Sequence, residues 1–427
     1  LQSGGTVTMG GFLSLGRYVG GVGIYEMTGG TFVETRSDRE LIIGEQGTGA
    51  LTVSGTAEIK TPGSIGFGIG TLNLVTGGVI RVNYLHTRDS ARNSVVNFNG
   101  GTLAAYGSTM IQDSFLSGLT STYIKDGGAN IEVGEGRQVT IAQNLLPASG
   151  SAGGLTKTGA GVLRLSGSNT YAGNTTVAEG VLAVGAASAI PGLDSGKVTV
   201  ASGACLSLDA TAWPVSSIQA LLSGGTVFSS GASFGIDTQN GSATIDSVLP
   251  VPAGVSFYKT GANVLTLTGA NTYAGATKLY GGLLCAEKGV GIPAASHITF
   301  AGGGWAPVNE SPMTRSLGTG ADQLSGITNS TAGFSALGAP LTVNIGGAGA
   351  LLALGDNDFA EGGLILNDAE ADNALTFVNP IDATGYGLNV AVNSSAAGAG
   401  VTMQGAVSAT PAATKNAQSI TKTGAGT

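Results

Sequence analysis

The sequence predicts an all-β chain wound as a parallel β-helix, a solenoid of short strands joined at glycine corners. Three observations carry this. Glycine supplies 74 of the 427 residues without any G-x-y period, which sets collagen aside and implies many tight corners. Hydrophobic residues make up 42% and charged residues 10%, too apolar a mixture for disorder, and long amphipathic helical patterns are nearly absent. Strand-like runs end in Gly-Gly or Ser-Gly at intervals that suit one coil of a solenoid.

Residues 1–107 show the interval best. M-T-G-G-T-F at Met27, V-S-G-T-A-E-I at Val53, V-T-G-G-V-I at Val75 and F-N-G-G-T-L at Phe98 place corner glycines Gly29, Gly55, Gly77 and Gly100 at spacings of 26, 22 and 23. Between corners, apolar and polar residues alternate, as in 50–53 and 71–75, so each strand has one inward face. A single coil cannot bury that face alone, but a stack can. Two polar stretches interrupt the run, 34–40 (with Arg36 and Arg39) and 81–92 (with His86, Arg88 and Arg92). Both follow a Gly-Gly strand about two coils apart, so both should protrude on one side as solvated loops or as a partner surface.

Residues 108–152 hold one plausible helical turn, at 112–116, followed by strands at 123–125, 129–133 and 138–141. Four strands then fall between 153 and 208, about two coils. Residues 213–222 read as a short helix or an excursion, 227–245 resumes short strands, and later strands fall at 341–345 and 364–366. Prolines are scattered at corners, where they disturb a sheet least. No stretch resembles an interdomain linker, so the whole of 1–427 reads as one solenoid of roughly 17 to 19 coils. It divides into glycine-cornered coils (1–152), repeat units at 153–254 and 255–346, a degenerate unit at 347–420, and the start of another at 421–427.

Those units are defined by an internal repeat. T-K-T-G-A-G-V-L-R-L-S-G-S-N-T-Y-A-G from Thr156 recurs as Y-K-T-G-A-N-V-L-T-L-T-G-A-N-T-Y-A-G from Tyr258. Lys157, Gly159, Gly167, Asn169 and Tyr171 each lie 102 residues before Lys259, Gly261, Gly269, Asn271 and Tyr273. A looser third copy aligns Gly355, Asn357 and Phe359, and T-K-T-G-A-G opens a fourth at Thr421. The chain starts at Leu1 in mid-pattern and stops inside that fourth copy, from which a longer polypeptide is expected.

Thr156 to Leu182, together with the copy at 258–284, resembles the autotransporter-associated β-strand repeat of bacterial type V secretion passengers. The resemblance implies a right-handed, single-stranded parallel β-helix, export, and a place at the cell surface or outside the cell, anchored to the outer membrane or released. It implies no activity.

The chemistry open to the chain is narrow. A net charge of −8 argues against a nucleic-acid partner, and no apolar run approaches the roughly 20 residues needed to span a bilayer. With only His86 and His297, no Ser-His-Asp arrangement or zinc spacing can be assembled; no catalytic residue and no cofactor is assigned. The acids Asp356, Asp358, Asp368 and Asp372 form either a solvated rim or a weak Ca²⁺ site. Cys205 and Cys285 sit beside core-facing leucines, so both should point outward, as two separate thiols rather than a disulfide. The tyrosines of the repeat should pack at corners. The residues that offer contact to a glycan or a protein are Arg36, Arg39, Arg88, Arg92, Trp213 and Trp305, in protruding loops. Coil ends should pair with more of the same chain or with identical neighbours. The function expected is therefore a structural rod or fibre for adhesion or extracellular scaffolding. A polysaccharide-binding or -degrading β-helix, marked by a groove with two carboxylates within about 10 Å, and a phage tailspike are the alternatives.

Overall fold

A computed structural model describes residues 1–89, 92–193, 195–384, 387–408 and 420–426. Two compact units emerge, Leu1–Leu206 with Gly224–Ala232, and Ser207–Ser223 with Ser233–Thr427. Each is a β-solenoid of short, parallel, in-register strands, and the chain makes about 17 turns in all.

In the first unit the strands fall on three tracks. One holds 31–33, 58–61, 79–82, 102–105, 129–132, 155–158, 175–177, 198–200 and 226–228. A second runs from Leu13–Leu15 through 41–43, 65–67 and 85–86, and later through Gln138–Ile141, Val162–Leu165 and Val181–Val184. The third stacks 22–27, 48–53, 69–75, Ser94–Asn99, Ser121–Ile124 and Leu145–Pro147. Because side chains alternate along a strand and register is kept between coils, like positions form ladders. Leu51, Leu72, Val96, Thr122 and Leu145 make one, and Val53, Leu74, Phe98 and Ile124 another. All nine are fully buried. At about 25 cal/mol per Å² of apolar surface, ladders of this kind are the main favourable term in each unit.

The second unit repeats the plan. Ser233–Asp237, Ser256–Thr260, Thr277–Leu279, Ile298–Phe300 and Leu324–Gly326 form one stack. Ala243–Ile245, Val264–Leu267, Leu283–Glu287, Gly304–Val308, Thr331–Phe334, Gly363–Leu366 and Leu388–Ala391 form another. Register partners lie 19 residues apart at Val162 and Val181 but 34 apart at Leu341 and Leu375. The spacing of 22 to 26 read from the first corners is thus the middle of a wider range, and the extra residues form loops outside the tracks.

Two local expectations resolve differently. Residues 112–116 lie in the strand Ile111–Ser117 rather than in a helical turn. Leu116 stands in register with Leu85 and Ile141, and that pairing overrides a local pattern with no strand alternation. Within 213–222 a short helix does form, Val215–Ala220.

Candidate functional site

The repeat signature is where polar groups enter the core. Strand alternation carries Lys157 inward, between Ile131 and Val177 in the buried ladder, and Lys259 inward between Ile236 and Leu279. Both side chains are fully buried. An ammonium has three N–H donors, and each finds three carbonyls. Lys157 Nζ donates to the oxygens of Thr158 (2.9 Å), Gly159 (2.6 Å) and Glu179 (3.1 Å). Lys259 Nζ donates to those of Thr260 (2.9 Å), Gly261 (2.8 Å) and Gly281 (2.9 Å). The third carbonyl in each set belongs to the following coil, so the lysine ties two coils at one corner. Burial pushes the Lys157 amine down to about 8, opposed by Glu179, and the Lys259 amine down to about 7, opposed by Asp237 and Asp368. The corner also requires its glycine. Gly159 and Gly261 have φ of 74° and 78°, and a Cβ at either would lie 2.3–2.4 Å from backbone of the neighbouring coil.

Asparagine and tyrosine complete the corner. Asn169 Oδ1 accepts the Leu145 N–H (2.8 Å) while its Nδ2 donates to Ala189 O (2.7 Å). Asn271 does the same with Leu249 N–H (2.8 Å) and Gly291 O (3.0 Å). Each buried amide therefore bridges the coil before and the coil after. The hydroxyls of Tyr171 and Tyr273 meet Thr175 Oγ1 at 2.6 Å and Thr277 Oγ1 at 2.7 Å. Burial raises Tyr171 to about 12 and Tyr273 further still, as fits core side chains. Gly167 and Gly269 are needed because a Cβ would lie 2.7 and 2.3 Å from carbonyl oxygens of the previous coil.

The third copy keeps only part of this. Gly355 takes a left-handed φ of 88° and Phe359 is buried against Phe300 and Phe334. Asn357 instead sits exposed in a tight turn, with a left-handed φ of 54°. The bridging amide there is Asn367, which accepts Ala336 N–H (2.9 Å) and donates to Ala399 O (2.7 Å). Lys422, in the fourth copy, donates to Gly424 O at 2.9 Å and to Gly426 O.

The proposed contact residues divide. Trp305 is not a surface residue; it lies in the inward ladder of Leu265, Leu284 and Phe334 and donates to Ala286 O at 3.2 Å. Trp213 is buried too. Flanking glycine and polar residues made both look like loop aromatics, but inward alternation governs Trp305. The thiols are buried as well. Cys285 does face away from the Leu284 ladder, yet Val264, Leu283 and Ala306 pack there beneath Val308 and Leu337; Cys205 lies in a strand, Cys205–Asp209, buried on both faces. The acids are dispersed at corners. Asp356 and Asp358 are exposed, Asp372 is held low by the Gly338 N–H, and Asp368 Oδ1 accepts the Ala369 N–H. Among the described residues no group of three or more His, Cys, Asp or Glu is placed to hold a metal ion.

The arginines do mark a charged rim, and the two polar stretches meet on it. Arg36 pairs with Asp38 at 2.8 Å and Arg39 with the same carboxylate at 3.6 Å. Arg92 pairs with Asp89 at 3.0 Å. Arg88 reaches Glu40 at 3.3 Å and Glu45 at 3.5 Å, which brings two carboxylates within the separation expected of a hydrolase groove. Their oxygens are already engaged: Glu45 accepts from Ser14 at 2.7 Å and Glu40 meets His86 Nε2 at 2.6 Å. The link from Glu40 to His86 spans two coils and passes over Gly66, where a Cβ would lie 2.0 Å from Glu40 Oε1. His86 Nδ1 stands 3.0 Å from Thr87 O. With an acceptor at each nitrogen, the imidazolium is the form that satisfies both. Sequence alternation could have flagged Lys157 and Lys259, which fall on the same face as Leu155 and Phe257; nothing in the sequence flags the pairing of Glu40 with His86.

The comparisons agree with this corner. A family model, the passenger-associated-transport repeat, matches residues 155–184 and 257–284, the two stretches that cage Lys157 and Lys259. The chain therefore carries two copies of a repeat found in autotransporter passengers. It is 35% identical over 202 residues to the adhesin BmaC autotransporter of Brucella suis biovar 1 (strain 1330), a match covering 44% of this chain and 6% of that relative. This chain thus spans a small fraction of that relative's length. No solved structure matches it. The repeat implies a location at the cell surface or outside the cell. No helix among the described residues is long and apolar enough to cross a membrane.

A pH test follows for the charged rim. Glu40 raises His86 above its ordinary value through their hydrogen bond, with burial opposing and the Arg88 charge a smaller counterweight; Tyr84 packs against the ring. A raised folded pKa gives stability that is full below about pH 6.5 and is lost as pH climbs through the folded value. The gap in melting temperature between wild type and His86→Gln should therefore shrink from pH 6 to pH 8.5. A constant gap across that range would show that the Glu40 pairing gives His86 no pH-dependent stabilisation.

Proposed function

We propose that this segment is a non-enzymatic β-helical scaffold of a surface-displayed adhesion protein, anchored at the outer membrane or released from it, whose contacts with a glycan or protein partner lie on loops outside the stacked tracks. The observation that carries this reading is the 35% identity to an autotransporter adhesin. The site geometry supports it, because the repeat's lysine, asparagine and tyrosine are all spent on holding coils together, and the carboxylate pair at Glu40 and Glu45 is spent on Arg88, His86 and Ser14. The test is adhesion of inert beads coated with the purified segment to epithelial cells and to extracellular matrix. Retention several-fold above albumin-coated beads is expected; retention equal to albumin overturns the reading.

A further inference from the structure

Most large aromatic side chains in the chain are buried, but Tyr106 is 39% exposed and lines a cleft of about 410 Å³ in the first unit with Thr35, Ser37, Pro62, Gly107 and Ser108. That volume falls within the roughly 300–1,000 Å³ of small-molecule sites. The walls combine an aromatic plate, a proline and three hydroxyls, and no charged side chain. Beside it, Arg36 and Arg39 are both tied to Asp38.

We propose that this cleft is a binding site for a neutral saccharide, with the C–H face of one pyranose ring on Tyr106 and its hydroxyls on Thr35, Ser37 and Ser108. An aromatic face takes an apolar sugar face. The Ser37 and Ser108 hydroxyls can both donate and accept, as a row of sugar hydroxyls requires, whereas the Thr35 hydroxyl, which donates to Met9 O at 3.1 Å, offers an acceptor. The absence of charge from the walls favours a neutral sugar over a sialylated or sulfated one.

The cleft is held in shape before any ligand arrives. Arg137 donates from Nη1 to Thr109 O (2.8 Å) and from Nη2 to Gly107 O (2.5 Å), fixing the segment that carries Tyr106 and Ser108. Tyr106 N–H is bound to Val82 O (2.9 Å), and Thr35 N–H to Met9 O (3.0 Å). Little loop ordering then opposes binding. This inference deepens the adhesion reading and rests on it.

The experiment is an array of neutral, sulfated and sialylated oligosaccharides probed with the purified segment, followed by titration of the best neutral glycan against wild type, Tyr106→Ala and Tyr106→Phe. Neutral glycans should be retained, with a dissociation constant raised roughly tenfold by alanine and under threefold by phenylalanine, at an unchanged melting temperature; tenfold corresponds to about 1.4 kcal/mol. Retention of charged glycans only, no retention at all, or affinity indifferent to Tyr106→Ala overturns the site. Coated beads separate the two readings: cell adhesion without glycan binding removes the cleft and leaves the adhesion reading, whereas loss of bead adhesion removes that reading itself.

Discussion

Lys259→Ala should destabilise the second unit by about 4 kcal/mol, and Lys259→Met by about 2 kcal/mol. Both remove the donor from three buried carbonyls, an omission costing about 1–3 kcal/mol for each group left unsatisfied. The Thr260 carbonyl also receives the Thr238 N–H, so the loss falls chiefly on Gly261 and Gly281. Against it stands the relief of no longer burying an ammonium. Methionine refills the ladder position between Ile236 and Leu279; alanine adds a cavity there. The amine is pushed down to about 7 in the folded state from about 10.4 in the unfolded chain. Between those values the unfolded chain binds more protons, so wild-type stability should rise with pH across that window. Lys259→Met should lose that rise. Urea unfolding monitored on second-unit strands, at pH 6.5 and pH 9.5, reads both effects. A methionine variant as stable as wild type at both pH values would mean that the carbonyl cage adds nothing to stability.

How much of this was legible in the sequence depends on which periodicity was at work. Corner glycines and period-two alternation led to the stacked parallel strands, because both follow from local geometry: left-handed φ at Gly159 and Gly261, and inward Leu72 and Leu74 on one strand. Matching letters at constant offset found Lys157, Asn169 and Tyr171 with their partners at 259, 271 and 273. The same method failed in the third copy, where it aligned exposed Asn357 and overlooked Asn367. What is kept there is a buried amide between two coils, and an amide can be supplied from another point along the strand. Burial of the outward face was equally hidden. Cys285 lies beneath Val308 and Leu337, residues 23 and 52 positions further on, and a strand cannot announce what later chain will cover it. The charged rim was legible as two polar stretches but not as a network, since the contacts of Glu40 with His86 and Arg88 depend on a register that places residues 46 and 48 positions apart side by side.

Trp305→Ala should destabilise the second unit by about 3–5 kcal/mol, and its effect should be local. The indole is fully buried in the ladder of Leu284 and Phe334. It also forms the plate for Arg315, whose guanidinium carbon lies 5.0 Å from the ring centroid. Arg315 is itself buried, donating to Ser296 O at 2.9 Å and pairing with Asp322 at 3.0 Å, so the alanine variant removes a stacking partner from a buried cation as well as opening a cavity. Trp305→Phe keeps most of the volume and loses the bond to Ala286 O, a change of about 1 kcal/mol beyond its packing cost. In a solenoid each coil rests on its neighbours alone, so hydrogen exchange should quicken first in Leu283–Glu287 and Thr331–Phe334, the strands flanking Trp305. The first-unit ladder from Leu51 to Leu145 should keep its protection. Uniform loss of protection across both units would show instead that the coils unfold as one cooperative block, and that the damage is not confined to nearest neighbours.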